Sequence, residues 1–425
     1  VKKNANKYQK HSGQSAGRSG TDPNQRWHRP AVSTDHNRPA RILWVSNAPF
    51  AGTGYGQQTA QVIERLKRNN YKVAVSCNYG LEAAMSEWNG FTLYPRGYDI
   101  WSNDVITANA VNWFNGDPAA PNLIITLFDV WIFKGEQWDR ANKIACWTPI
   151  DHMPLPQMVG KWLAKPNIEP IAMSQFGVQM LEAAGFRDVI YVPHAIEATF
   201  KPTSEYKSPT GTMTAKDLTK VDDDRFMVLM VAANKGQSPC RKSFPEAFLA
   251  FAAFAENHDD AVLFCYTEDT GIMQGLNLRE LAAACGIKPH QIQFINQYAY
   301  RQGLPHEAMA TIYTRADVLL APSMGEGFGI PVIEAQACGL PVIVSNFSSQ
   351  PELIGDGWQV GGQVWWDFAQ KAFMQTPDIK QIIVALNEAY ERPRERSQTA
   401  INFASQYLAD YVFDTYWKPA LHRLI

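Results

Sequence analysis

Short apolar runs separated by longer amphipathic stretches fill the chain from residue 41 onward. Residues 41–47 (RILWVSN), 72–77, 123–127, 144–148, 170–173 and 189–192 read as buried strands. Between the first two, 57–68 sets Val62, Ile63 and Leu66 on one side, as a helix covering a sheet would. After a polar stretch at 201–225 a second series begins, with strands expected at 227–232, 261–266, 291–294, 318–321 and 342–345. Ser243-Phe244-Pro245-Glu246 has the form of a capping box, and Phe248, Leu249, Phe251, Ala252 and Ala255 then continue an apolar helix face. Such alternation builds βαβ units and parallel sheets covered by helices. The 425 residues are too many for one compact core. The expected fold is therefore α/β: two Rossmann-like domains, 41–200 and 226–395, joined by a connector at 201–225 and facing each other across a cleft. The helical pattern over 396–425, with Tyr407, Leu408, Val412 and Tyr416 among its apolar positions, is expected to pack back on the first domain.

Charge changes the picture at one end only. The net charge of −2 gives no field that would select polyanions or membranes, but residues 1–41 hold nine Lys or Arg against Asp22 and Asp35. Residues 1–40 also carry almost no apolar side chains, so they read as a flexible basic tail, either an electrostatic arm or a solubilising leader. None of the six cysteines lies in a C-x-x-C pair, which argues against a zinc site or a disulfide framework. No apolar run reaches the roughly 18–20 residues of a membrane span, and no apolar leader opens the chain. A cytoplasmic enzyme is the expectation.

Three strand-to-helix turns carry candidate chemistry. The strand at 318–321 runs into Pro322-Ser323-Met324-Gly325-Glu326-Gly327-Phe328-Gly329, and Pro331 is placed to open a helix that contains Glu334. Glycines let a ligand approach the backbone, while a helix start offers free N–H groups and a positive dipole end. Carboxylates beside such a turn suit sugar hydroxyls. The second turn, Ala233-Asn234-Lys235-Gly236-Gln237-Ser238-Pro239-Cys240-Arg241-Lys242-Ser243, brings cations that could neutralise a diphosphate. The third, Ala51-Gly52-Thr53-Gly54-Tyr55-Gly56, is a weak signal, since any such turn needs small residues.

The E-x7-E of Glu326 and Glu334, the GFG of 327–329 and the downstream Ala337-Cys338-Gly339-Leu340-Pro341-Val342-Ile343 closely resemble glycosyltransferase family 4, retaining enzymes of GT-B fold. The resemblance spans most of 41–425 and is strongest over 317–354. It implies an acceptor-side domain at 41–200 and a nucleotide-sugar-binding domain at 226–395. By the same resemblance Glu326 contacts donor sugar hydroxyls, Gly327 and the amides near Phe328 and Gly329 hold the donor, and Glu334 binds ribose hydroxyls. Lys242 matches the family's lysine. The family's usual arginine is replaced by Asn234-Lys235, making Lys235 a substitute and Arg241 a helper or bystander. Gly54 corresponds in place to the loop that touches donor phosphate. Asp129, Asp151 and His152, at strand ends of the first domain, fall where family members contact sugar or acceptor; a capping Asp or a core His is the alternative for each. Ser174-Gln175-Phe176-Gly177 matches a family turn, His194 is given no chemistry, and Asn296 is the expected contact to the base.

The implied reaction moves a hexose from a UDP- or GDP-sugar to an acceptor hydroxyl with retention. No metal or cofactor is expected, and the D-x-D of Asp222-Asp223-Asp224 reads as a solvated charge run in the connector. A protein, DNA, a lipid carrier and a glycan all remain open as acceptor, with the basic tail keeping DNA and protein in view. Competing readings are a phosphorylase of the same architecture, a dinucleotide-dependent oxidoreductase and a non-catalytic sugar- or nucleic-acid-binding module. The oxidoreductase lacks a proper G-x-G-x-x-G in the first domain, and Cys77-Asn78 stands where an acidic residue would end the next strand.

Overall fold

The structure, a computed structural model, describes residues 35, 37–236 and 239–425. The basic tail expected over 1–40 thus lies largely outside the described residues. Within it, Arg38 is bonded to Asp117 at 3.2 Å.

The first sheet comprises β1 (Arg41–Ser46), β2 (Lys72–Cys77), β3 (Ser86–Trp88), β4 (Phe91–Tyr94), β5 (Asn122–Leu127), β6 (Ile144–Thr148), β7 (Ile168–Ala172) and β8 (Ile190–Tyr191). Its order is β3-β4-β2-β1-β5-β6-β7-β8, parallel throughout except for β3 against β4. The polar stretch that follows is itself folded: β9 (Glu205–Ser208) and β10 (Gly211–Thr214) pair as a hairpin, and Thr214 caps the short helix Ala215–Thr219 with a reciprocal box to Asp217.

The second sheet is all parallel: β11 (Phe226–Val231), β12 (Ala261–Tyr266), β13 (Ile292–Phe294), β14 (Val318–Ala321), β15 (Val342–Ser345) and β16 (Gly357–Val360), in the order β13-β12-β11-β14-β15-β16. A separate antiparallel hairpin of β17 (Gly362–Asp367) and β18 (Ala372–Pro377) follows. Leaving β3 aside, both sheets run third, second, first, fourth, fifth, sixth from one edge. That is the doubly wound order, with its topological switch point between β1 and β5 in one sheet and between β11 and β14 in the other. Turns leaving these four strands are where such sheets take up ligands.

One expected cap is corrected. Ser243 does precede the helix Phe244–Ala255, but its φ of 53° is left-handed and its side chain caps nothing. Its backbone N–H donates to the Cys240 carbonyl at 2.8 Å, closing a turn that leaves the buried hydroxyl without a partner.

The chain's end crosses back to the first sheet. Residues 408–409 pair with Ile196, which donates to the Tyr407 carbonyl and accepts from Ala409, each at 2.9 Å. Beyond them Trp417 is fully buried against Trp147 and Trp44, with ring centroids 5.0 and 5.8 Å away. Arg65, buried on the helix Gly54–Arg68, ties this segment down through Asp410 at 2.8 Å and Glu197 at 2.9 Å. Among the described residues, no helix is long and apolar enough to cross a membrane.

Trp417, just before the terminal helix Lys418–Leu424, contributes to its docking through burial of the indole. Trp417→Ala should lower unfolding stability by about 3–5 kcal/mol. Urea or thermal unfolding measures it, and a loss below about 1 kcal/mol would mean that the indole does not anchor the helix.

Candidate active site

Backbone geometry first fixes the glycine turn. After β14 the chain passes through residues 322–329 and enters the helix Ile330–Ala337, with Gly329 at φ 120° and Pro331 in the first helical turn. The turn presses against the strand end of the other half. A side chain at Gly327 would overlap Pro149, and one at Gly325 would overlap the Asp151 carbonyl. Gly54, opening the helix Gly54–Arg68, lies under Ile330, which an added Cβ would meet at 3.3 Å. The small residues therefore let the two sheets' C-terminal edges meet backbone to backbone.

Glu326 sits at the centre. Its carboxylate accepts from Lys242 and, at 3.0 Å, from Arg241, which also donates to the Gly325 carbonyl at 2.6 Å. Ser348 and Ser349 hold the backbone: the Glu326 N–H donates to Ser348 Oγ at 2.8 Å, and the single Ser349 O–H is shared between the Glu326 and Phe328 carbonyls, 2.7 and 2.6 Å from Oγ. Burial would raise the carboxyl's pKa, but Lys242 and Arg241 outweigh it and bring Glu326 down to about 2. Lys242 is shifted down, by burial first and by Arg241 as well. Arg241 is shifted up, chiefly by Glu326. One carboxylate thus holds two cations and leaves one net positive charge.

Across the junction the ends of β5 and β6 supply acids. Asp129 begins the one-turn helix Val130–Ile132, and burial together with Asp151 raises it to about 6 although Arg241 pulls the other way. Asp151 accepts from His152 Nδ1 at 2.6 Å, and His152 Nε2 meets Asp367 Oδ2 at 3.2 Å. For His152 burial opposes the charged form, but the flanking carboxylates win and its pKa is raised. Asp151 is shifted down because His152 and Arg241 outweigh its burial. Tyr55 lies in the same field, raised well above its ordinary value by burial and then by Asp129 and Asp151.

Glu326, Lys242, Arg241, Asp129, Asp151 and His152 thus meet at one junction, with Gly54, Gly327 and Gly329 shaping it. Other candidates stand differently. Arg241, reckoned a helper or bystander from the sequence, makes two contacts to the glycine turn. Lys235 is exposed on its loop. Asn234 is buried as a clamp, donating to the Glu268 and Leu276 carbonyls and accepting from Leu276 N–H at 2.9, 2.7 and 2.9 Å. The Phe328 ring is core, packed edge-on to His194 at 5.3 Å and near Tyr407 at 5.7 Å, so only its backbone faces the turn. His194 is buried among Trp147, Phe328 and Tyr55 and pushed down to about 3 by burial, a neutral packing residue. Asn296 is exposed, with its side-chain oxygen capping the helix Gln297–Gln302 through Ala299 N–H at 3.0 Å. Ser174 caps Gln175–Ala183. In the acidic run, Asp222 pairs with Lys216 and Asp223 with Arg315.

Glu334 is buried inside its helix and accepts from Tyr313 Oη at 2.8 Å; burial raises it to about 7 despite that bond. Sequence reasoning missed Asp367 and also Glu352. The latter caps the first-half helix Gln175–Ala183 by accepting from Gln175 N–H at 2.8 Å. Neither lies in a recognisable pattern. Each reaches its partner only through the tertiary fold.

Glu334 yields a stability prediction. A carboxyl raised from 4.5 to about 7 in the folded state stabilises fully below pH 4.5, and that contribution is lost as pH rises through 7. Glu334→Gln, which keeps an acceptor for Tyr313, should therefore stabilise the protein at pH 8 by up to about 3 kcal/mol and leave it unchanged near pH 4. Denaturant unfolding at the two pH values tests this; equal effects at both would sink it.

Residues 222–406 match the family described as Glycosyl transferases group 1. An O-antigen chain mannosyltransferase B of Escherichia coli is 45% identical over 53 residues, which are 12% of this chain and 14% of that protein. A D-inositol 3-phosphate glycosyltransferase of Rhodococcus erythropolis is 29% identical over 156 residues, 36% of this chain and 32% of its own. The chain thus spans about a third or less of the length of these curated relatives. A solved sucrose-phosphate synthase from Thermosynechococcus elongatus superposes with a TM-score of 0.68 at 17% identity, covering 91% of this chain and 98% of its own. The chain has the GT-B fold, two Rossmann-like halves, and its residues 222–406 match the group 1 glycosyl transferases.

Proposed function

We propose that the protein is a glycosyltransferase that moves a hexose from a nucleoside-diphosphate sugar, UDP- or GDP-linked, to an acceptor hydroxyl with retention of configuration. The observation that carries this reading is the pairing of Glu326 with both Lys242 and Arg241 at a glycine turn facing Asp129 and Asp151. A sugar diphosphate is a double anion joined to a ring of hydroxyls. Two cations answer the first part and carboxylates the second. The match to group 1 glycosyl transferases over 222–406 and the names of the relatives support the same class.

In this mechanism the diphosphate competes with Glu326 for Lys242 and Arg241. The freed Glu326 carboxylate turns to sugar hydroxyls, and the N–H groups at the start of the helix Ile330–Ala337 take phosphate oxygens. Glu334 takes the ribose hydroxyls, and the segment around Asn296 borders the base. As the bond from the anomeric carbon to the diphosphate oxygen breaks, charge grows on that oxygen, and the fixed cations stabilise it without moving a proton. The acceptor oxygen bonds to the anomeric carbon from the same face, and its proton passes to the departing phosphate oxygen. Asp129 and Asp151 orient the acceptor hydroxyl, and His152 holds Asp151 in place. Side-chain cations carry the leaving-group charge, so no metal is required by this scheme.

A thermal-shift screen of UDP-, GDP- and ADP-sugars should single out one nucleotide, because a bound donor stabilises the fold by mass action. With that donor, Glu326→Gln and Lys242→Ala should each cut transfer by at least about a hundredfold while circular dichroism stays that of the parent. Turnover within about threefold of the parent in both variants would overturn these roles.

A further inference from the structure

The loops that follow β1, β2, β4 and β5 carry large apolar side chains on the outside. Phe50, Tyr79, Tyr98, Ile100 and Trp131 are all exposed, Tyr98 completely. These are the ligand-facing ends of the first sheet, the same ends that present Asp129 and Asp151. Trp131 stands two residues beyond Asp129, in the one-turn helix Val130–Ile132 that Asp129 begins, and it favours the ionised form of that carboxylate. With 39% exposure, it meets Trp101 edge to face at 6.0 Å.

Asn103 makes this surface rigid. Buried between the two loops, it donates to Asp99 and to the Ile132 carbonyl, each at 3.1 Å, and accepts from Lys134 N–H at 2.9 Å and Trp138 Nε1 at 3.3 Å. The two loops that carry Trp101 and Trp131 are thereby tied together, with Trp131 still exposed.

Charge selects what they bind. The loops at 47–53, 78–85, 95–105 and 128–134 hold Glu82, Asp99, Asp104 and Asp129 against Arg96 and Lys134, and Arg96 is paired to Glu82 at 3.3 Å. Nucleic acids stack on aromatic platforms too, but within grooves of positive charge that track the phosphates. This surface is net negative. Its flat apolar faces beside carboxylates suit the C–H face and hydroxyls of a pyranose ring.

We infer that Trp131, with Trp101 beside it, forms a binding subsite for a neutral saccharide that serves as acceptor, stacked so that a hydroxyl reaches Asp129. The inference deepens the transferase reading and rests on it for the word acceptor. The saccharide subsite itself can be tested without a donor.

The full chain is titrated with maltotetraose, mannotetraose and cellotetraose, followed by tryptophan fluorescence and saturation-transfer NMR. A dT oligonucleotide and a Ser/Thr-rich peptide serve as rival probes. At least one tetrasaccharide should bind saturably. Trp131→Ala should weaken it about tenfold or more, and Trp131→Phe, which keeps a ring face, should stay within about threefold of the parent. Melting temperatures confirm that both variants are folded. Absence of saturable saccharide binding, an unchanged affinity in Trp131→Ala, or Trp131-dependent binding of the oligonucleotide or peptide would each overturn the subsite. Stabilisation by UDP or GDP is read in parallel. Nucleotide response without saccharide binding defeats the subsite alone, whereas saccharide binding without nucleotide response supports the subsite and defeats the transferase reading.

Discussion

The carboxylate of Glu326 between Lys242 and Arg241 is the interaction that organises the glycine turn where the two halves meet. The Glu326 carboxylate is nearly enclosed and would be costly alone; the half-buried Lys242 and Arg241 answer it. The pairing also fixes geometry. Arg241 reaches the Gly325 carbonyl, so the glycine turn is tied to the basic loop after β11. Once tied, the turn lies close enough to Pro149 and Asp151 that no side chain fits at Gly327 or Gly325. An ion pair at one strand end thus sets how near the opposite sheet can come.

Around that contact the halves are joined by groups of different character. His152 bridges Asp151 of the first half and Asp367 of the β17–β18 hairpin, while Met153 and Phe373 exchange backbone bonds of 3.1 and 2.8 Å beside it. Glu352 caps a helix of the other half. Behind the site, Phe328, Tyr407 and Trp417 make one continuous apolar core from the second half to the first. Polar contacts lie where ligands would enter and apolar ones where nothing should. The apolar set holds the lobes together, and the polar set can exchange partners at lower cost.

Much of the architecture was legible because a parallel sheet buries both faces of its strands, leaving continuous apolar runs such as Ile42–Val45 or Met227–Met230. Strands lacking such burial were not seen. β3, β9 and β10 are mostly exposed or half-buried and carry no apolar run, β17 holds Val364-Trp365-Trp366 but is largely exposed, and β16 reads as Gly-Trp-Gln-Val; the better buried β4 and β18 were also missed, being short and broken by polar residues. The Ser243 cap failed for a local reason: S-x-x-E describes composition, whereas the turn that delivers Arg241 and Lys242 to Glu326 puts Ser243 in a left-handed conformation where its hydroxyl cannot reach the helix N–H groups. In the site, residues adjacent in a motif were readable. Asp367 lies 215 positions from His152 and Glu352 lies 177 from Gln175, and no local pattern encodes such pairs.

Three acids of this region have been moved apart by their neighbours, and the separation gives them different tasks. Burial pushes all three upward, but only Glu326 has two cations at contact distance, so it alone ends below its ordinary value, at about 2. Asp129 is raised further by Asp151, with a weaker opposing pull from Arg241, and it rises to about 6. Glu334 has a single hydroxyl donor and rises to about 7. A group that stays ionised at every physiological pH can hold cations in place permanently. Groups that titrate near neutrality can accept a hydroxyl's hydrogen bond when charged and lose that strength when protonated. The fixed charge therefore belongs to the glycine turn, which must be organised before a ligand arrives. The adjustable ones lie at the end of β5 and beside Tyr313, where burial is the largest influence on their charge.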